Sequence, residues 1–197
     1  GTGTGLVALM LAQRNSNARI TGIEIDEAAY KQATQNAADS PWSERIKIVF
    51  GAFQTMLQST PNQFDLIVSN PPFFINSKIA QCPSRTVARH ASELTHEELL
   101  IVAKKILTPT GKLSIILPYS GYKLFSDLAQ KHGFNETNRL TVFPTPEKTP
   151  SRVLAVWGVG NEKGLILEEM ILEINGRHKY SDAYINLTKP FYLKMND

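Results

Sequence analysis

The chain has 197 residues, 42% of them hydrophobic, enough for one domain with a sizeable core. Its single cysteine, Cys82, excludes a disulfide framework and fits a reducing cytoplasm, and its four scattered histidines give no metal-ligand spacing. No apolar run approaches membrane-spanning length, and the net charge of +3 sits in the second half, where residues 99–197 hold 13 basic and 9 acidic side chains against 8 and 9 in residues 1–98.

The chain opens inside a glycine loop, Gly1-Thr2-Gly3-Thr4-Gly5. Such loops follow a strand, so a central strand of a doubly wound sheet is expected ahead of Gly1, missing from this chain. Leu6 to Gln13 reads as a largely buried helix leaving the loop. Ala18 to Ile25 reads as a strand, and Asp26 caps a helix to about Ala38. Ser40-Pro41-Trp42-Ser43 is a turn, Arg45 to Phe50 a short strand, and Phe53 to Gln58 a short helix closed by Ser59-Thr60-Pro61-Asn62. A strand over Phe64 to Ser69 leads into Asn70-Pro71-Pro72-Phe73, and a polar loop runs to about Ser92. Thr95-x-x-Glu98 is a capping box before a helix to about Leu107. Pro109-Thr110-Gly111 turns the chain into a strand at 112–117, and the next helix presents Leu124, Phe125 and Leu128 on one face and ends near His132-Gly133.

Strand and helix alternate to this point, which predicts a mainly parallel sheet of Rossmann-like α/β type. The ending differs. Residues 139–143, 152–159 and 164–174 read as strands without intervening helices, which predicts an antiparallel C-terminal edge. Pro144-Thr145-Pro146-Glu147-Lys148-Thr149-Pro150 links the first two stiffly, and a short helix follows near Ser181 to Leu187. With no repeat or composition break, residues 1–197 read as a single domain.

Two prolines in a row cannot lie in a helix or a central strand, so the strand must stop at Asn70. The stop gathers an amide oxygen, a proline carbonyl and the Phe73 ring at a strand's carboxyl end, where open α/β sheets bind ligands. Two acceptors and an aromatic face suit a planar NH2 group. The competing reading is a rigid turn. At the other motif, Leu6 stands where a dinucleotide fingerprint would carry its next glycine. Glu24, ending the next strand, can accept bonds from both hydroxyls of a ribose in NAD or S-adenosylmethionine alike, with Ile25 covering an adenine face. Glu24 also reads as an ordinary acid before a helix. Glycine loop, acidic strand end and Asn-Pro-Pro-Phe, in this order, point to an S-adenosylmethionine-dependent methyltransferase and away from a dehydrogenase.

The chain resembles the bacterial methyltransferases that modify N6 of adenine 37 in the anticodon loop of valine tRNA. The likeness rests on Gly1-x-Gly3-x-Gly5-Leu6-x-Ala8-Leu9-Met10-Leu11-Ala12-Gln13-Arg14, Ser40-Pro41-Trp42-x-Glu44-Arg45-Ile46, Phe64-Asp65-Leu66-Ile67-x-Ser69-Asn70-Pro71-Pro72, Ala88-Arg89, Tyr180-Ser181-x-Ala183-Tyr184 and Phe191-Tyr192-Leu193. The resemblance implies a cytoplasmic enzyme that uses no metal. It implies cofactor contacts from Gly1, Gly3, Gly5, Glu24, Ile25, Ala52, Phe53 and Asn70, and catalysis at Asn70, Pro71, Pro72 and Phe73. Relatives usually carry an acid at the position of Ala52, bonding the cofactor's adenine amino group. Ala52 cannot make that bond, which leaves it to a neighbouring backbone group. Arg85, Arg89, Lys148 and Arg152 are candidates for tRNA phosphates, with solvated surface charge as the other reading. Two further readings stay open: the same motif acting on a protein glutamine amide or another nucleic-acid amine, and a noncatalytic RNA-binding protein.

Overall fold

In the computed structural model the described residues are 1–58, 63–71, 94–160, 164–174 and 176–193. They form two units, Gly1–Ser59 and Thr60–Asp197. In the first unit, α1 (Leu6–Arg14), β1 (Ile20–Glu24), α2 (Glu27–Ala38) and β2 (Ile46–Phe50) follow in order. β1 and β2 are parallel, in register from Ile20 opposite Ile46 to Glu24 opposite Phe50. Asp26 caps α2 as expected, accepting a bond from the Ala29 N–H at 2.8 Å.

α1 is less buried than its composition predicts. Ala8 and Ala12 are buried, whereas Leu6 and Val7 are exposed. The alanines stand one turn apart and form the contacting face; Leu6 and Val7 point elsewhere around the helix. Arg45 closes the far end of α1. Its Nη1 donates to the carbonyls of Asn15 and Ala18 at 2.9 Å each, and Nη2 donates to that of Ala12 at 2.8 Å. Carbonyls at a helix end have no intrahelical donors, so one guanidinium binds the α1–β1 connection to the residue before β2.

The second unit holds β3 (Phe64–Ser69), α3 (His96–Ile106), β4 (Leu107–Pro118), α4 (Tyr119–Lys131), β5 (Asn135–Phe143), β6 (Arg152–Gly158), β7 (Ile166–Ile171) and α5 (Asp182–Thr188). Its sheet has the order β3-β4-β6-β5-β7. β3 and β4 are parallel, as are β5 and β7, and β6 runs against both β4 and β5. The reversal expected at the C-terminal end is present, but the reversed strand lies inside the sheet and the edge strand β7 is parallel to its neighbour. The β5–β6 hairpin inserts so that its second strand, not its first, meets β4.

β4 also begins earlier than the turn at Pro109-Thr110-Gly111 suggests. Pairing with β3 jumps from Phe64–Leu107 to Leu66–Lys112, so residues 108–111 form a bulge within the strand. Gly111 permits this: a Cβ there would lie 2.9 Å from the Thr108 carbonyl. The Thr95–Glu98 capping box closes both ways at the start of α3. The core gathers Leu99, Leu100 and Ile106 of α3, Leu113, Ile115 and Leu117 of β4, Phe125 of α4 and Trp157 of β6. Leu124 is not part of it. The buried face of α4 is Gly121, Phe125, Ser126 and Ala129, and Leu124, about 100° round the helix from Phe125, is exposed. Among the described residues, no helix is long and apolar enough to cross a membrane.

α4 and β5 share a polar cluster. The Tyr122 hydroxyl donates to the Glu136 carboxylate, at 2.8 Å to Oε1 and 2.7 Å to Oε2. Arg139 donates from Nε to the same carboxylate at 2.9 Å and lies 4.6 Å from the Tyr122 ring centroid. Burial, and then the bond to Glu136, push the Tyr122 phenol up to about 12 from its usual 10.0. A phenol whose folded value exceeds its unfolded value contributes stability that is complete below pH ~10 and lost as pH rises toward ~12. Urea unfolding across that window is expected to show a steeper decline for the parent than for Tyr122→Phe. Coincident declines would show that the phenol is not linked to folding.

Candidate active site

Most candidate cofactor residues come together within the first unit. Glu24 and Phe50 end the two parallel strands side by side. The glycine loop folds back on the end of β1 through a bond from the Thr2 N–H to the Ile23 carbonyl at 2.7 Å. The N–H of Gly51, just after β2, donates to the Glu24 carbonyl at 2.8 Å. Gly1, Gly3, Gly5, Glu24, Ile25, Ala52 and Phe53 thus belong to one end of this small sheet. Gly5 has φ 85° as the N-cap of α1, and a Cβ there would lie 3.4 Å from the Ala33 Cβ. Its missing side chain meets both demands.

Glu24 is buried, at 6% exposure, and its carboxylate is the hub of this end. Oε2 accepts from the Gly3 N–H at 2.7 Å; Oε1 accepts from the N–H groups of Ile25 and Asp26 at 2.9 Å each. The sequence points to Glu24 as an acceptor but not to these three donors. An ionised carboxylate offers about four accepting positions, so one remains, on Oε2. A ligand diol engaging both oxygens must share or displace a loop N–H. Ala52 is half-buried, and its carbonyl accepts from both the Thr55 N–H at 3.1 Å and the Thr55 hydroxyl at 2.7 Å.

The other candidates belong to the second unit. β3 ends at Ser69; Asn70 follows exposed and Pro71 buried. Among the described residues, no hydrogen bond engages the Asn70 side chain or the Pro71 carbonyl. Pro72, Phe73, Arg85 and Arg89 lie outside the described residues, as do Cys82 and His90. Lys148 and Arg152 are exposed, in the β5–β6 connection and at the first residue of β6. Arg152 stands opposite Pro118, the last residue of β4, and Ser69 stands opposite Ile115 of the same strand. The register therefore brings Asn70 and Arg152 to one rim of this sheet. In the tail, Tyr180 packs on Tyr184 with ring centroids 5.0 Å apart. Sequence reasoning missed Tyr119, exposed on the same rim. The available signal was Pro118-Tyr119, a proline followed by an aromatic at a strand end.

A family model described as Methyltransferase small domain matches residues 1–133. The tRNA1(Val) (adenine(37)-N6)-methyltransferase of Bacteroides thetaiotaomicron is 42% identical over 196 residues, covering 99% of this chain and 81% of that protein. Among solved structures, one described as a predicted O-methyltransferase, Atu636 from Agrobacterium tumefaciens, has a TM-score of 0.74 at 18% identity, over 96% of this chain and 86% of that one. A TehB-like SAM-dependent methyltransferase from Corynebacterium glutamicum gives 0.53 at 18% identity, over 80% and 76%. At these identities the structural likeness shows the fold. Fold and family model together define an α/β methyltransferase. The chain belongs to the Methyltransferase small domain family, among the relatives of the tRNA1(Val) (adenine(37)-N6)-methyltransferases.

The three-donor arrangement makes Glu24 a structural acid whatever else it binds. Glu24→Ala leaves three backbone N–H groups without their acceptor and is expected to cost about 1–3 kcal/mol of unfolding free energy. Denaturant melts check this, and an unchanged midpoint would mean that water replaces the carboxylate at no cost.

Proposed function

We propose that this chain methylates N6 of adenine 37 in tRNA1(Val), with S-adenosylmethionine as methyl donor. The observation that carries the proposal is an acceptor pair, Asn70 amide and Pro71 carbonyl, unengaged among the described residues, at a strand end in a chain 42% identical to the Bacteroides enzyme. S-adenosylmethionine, when bound, supplies an electrophilic methyl group. The first unit fits such a cofactor: a glycine loop open to close approach, a carboxylate with an accepting position left, and the exposed Ile25 side chain beside it. Gly1, Gly3 and Gly5 would take the methionine part, Glu24 the ribose, and Ile25, Ala52 and Phe53 the adenine. Glu24 forms charge-assisted bonds, the stronger kind.

The chemistry asked of Asn70 and Pro71 follows from the amine. The lone pair on adenine N6 is delocalised into the ring, which makes it a poor nucleophile. Asn70 Oδ1 and the Pro71 carbonyl accept its two hydrogens and draw them out of the ring plane, localising the lone pair on nitrogen. Positive charge then builds on that nitrogen, so fixed acceptors stabilise the transition state more than the ground state. No side chain with a tuned pKa is needed before attack. Phe73 is the proposed stacking partner for the extruded base, and Pro72 stiffens the corner between them. Arg85, Arg89, Lys148 and Arg152 are the proposed phosphate contacts in the anticodon stem and loop.

Asn70→Ala is expected to lower turnover about 10²–10³-fold, as loss of a transition-state hydrogen bond does, while cofactor affinity by calorimetry stays within about twofold. Labelled S-adenosylmethionine, tRNA lacking the modification and nucleoside mass spectrometry provide the measurement; unaltered turnover would remove Asn70 from the chemistry. The affinity for tRNA is expected to fall steeply with salt. Arg152→Ala should reduce the slope of log K against log salt by about 0.7, the value for one single-strand phosphate contact. A protein that methylates a glutamine peptide and leaves tRNA unmodified would overturn the RNA reading.

A further inference from the structure

Tyr119 opens α4 directly after Pro118 ends β4, and it is 48% exposed. The chain has six tyrosines. Tyr30 packs on Phe50, Tyr122 binds Glu136 and Arg139, Tyr180 packs on Tyr184, and the Tyr192 phenol neighbours that of Tyr184. Tyr119 alone among them has neither a ring partner nor a hydroxyl partner among the described residues. Its backbone, by contrast, is fixed. The Tyr119 N–H donates to the Ser151 carbonyl at 3.1 Å, and the Ser151 N–H donates to the Val142 carbonyl at 2.9 Å. An aromatic face unengaged among the described residues is thus mounted on a hydrogen-bonded junction of β4, β5 and β6.

The register says what that face is near. Ser69 is opposite Ile115, and Pro118 is opposite Arg152. From strand rise and spacing, the backbones of Asn70 and Tyr119 are on the order of 10 Å apart, mostly along the strand direction. That is too far for Tyr119 to touch a base held by its amine at Asn70, and near enough to meet the nucleotide beside it. Arg152 adjoins Pro118 from the other side and puts a cation on the same stretch of rim.

We propose that Tyr119 is a positioning residue for RNA, whose ring stacks on the nucleotide adjoining the target adenine while Arg152 holds a phosphate of that step. The inference rests on the tRNA reading above and adds a second base contact to it. Extruding an adenine removes a stacking partner from its neighbour, and an aromatic face on a fixed backbone replaces that partner. Stacking is tolerant of base identity, so Tyr119 tightens the hold on the loop without selecting its sequence.

The test is steady-state kinetics on unmodified tRNA transcripts with the parent protein, Tyr119→Ala and Tyr119→Phe. The alanine variant is expected to raise KM for tRNA about tenfold, with kcat and the cofactor KM unchanged, and the phenylalanine variant to restore the parental KM. In transcripts carrying 2-aminopurine on either side of the target adenine, binding to the parent should quench fluorescence at one of the two positions, and binding to Tyr119→Ala should not. A parental tRNA KM in the alanine variant, a fall in kcat alone, or no quenching at either position overturns the stacking role. If the parent methylates tRNA while any of these holds, only the stacking role fails. A parent that modifies a glutamine peptide but no tRNA overturns both this inference and the function on which it rests.

Discussion

A strand in a sheet cannot simply stop, because each backbone N–H beyond the last ladder bond still needs a partner. The second unit meets that constraint with proline. Pro71 follows β3, Pro118 ends β4, Pro144 follows β5 and Pro150 precedes β6. All four lie on one rim, since β3, β4 and β5 run the same way and β6 runs back. Proline has no N–H to leave unpaired, so each one removes a donor from the rim. What remains exposed on such a rim is carbonyl oxygen and whatever side chains flank the prolines. Here they include Asn70 and Tyr119, with Arg152 opposite Pro118. The character of the proposed substrate site, acceptors and an aromatic face with a cation, thus follows from how the strands are stopped.

The first unit meets the same constraint with charge. Glu24 ends β1 and turns its carboxylate onto the N–H groups of Ile25 and Asp26, and onto that of Gly3 in the loop before α1. The two solutions have different chemical consequences. A buried carboxylate is an anionic acceptor suited to neutral hydroxyls. An amide and a backbone carbonyl accept without net charge.

Features dictated by a few adjacent residues were legible in the sequence. The Asp26 cap, the Thr95–Glu98 capping box, the strand at Phe64–Ser69 and the helix capped by Ser181 are each set within four or five residues, and each is found in the structure. The errors lie where distant segments decide. That the reversed strand β6 lies inside the sheet and not at its edge is a choice among long-range pairings, which no local pattern encodes. The bulge at Thr108–Gly111 looks like a turn because Pro109 and Gly111 disfavour a regular strand, yet β3 holds the segment in its ladder. Leu124 is apolar and at helical spacing, but the face of α4 that packs is centred on Phe125 and Ala129, and Leu124 lies outside it. Of the candidate site, Glu24 was legible from its position at a strand end. Its partners were not, because Gly3 reaches it across an intervening helix in sequence. Tyr119 went unread for a related reason: a single tyrosine at a helix start gains meaning only from the strand register that sets it beside Asn70.

Ala52 shows where local geometry limits the proposed cofactor site. The resemblance requires some group near this position to recognise the adenine, and the Ala52 side chain can offer none. Its carbonyl is the nearest replacement acceptor, but both of its lone pairs already serve Thr55, one for the N–H and one for the hydroxyl. The next backbone group, the N–H of Phe53, begins a 3-10 turn over Phe53–Gln58 and so has no carbonyl within the turn to receive it. It is a donor, and an adenine's exocyclic amine needs an acceptor. Its ring nitrogens, however, need a donor. In the proposed cofactor site, recognition at this turn would therefore be directed to the ring edge of the adenine, and its amine would find an acceptor here only if the Thr55 hydroxyl turned away from Ala52. On this reading Thr55, a residue with no part in the motifs, controls whether the missing acid is replaced.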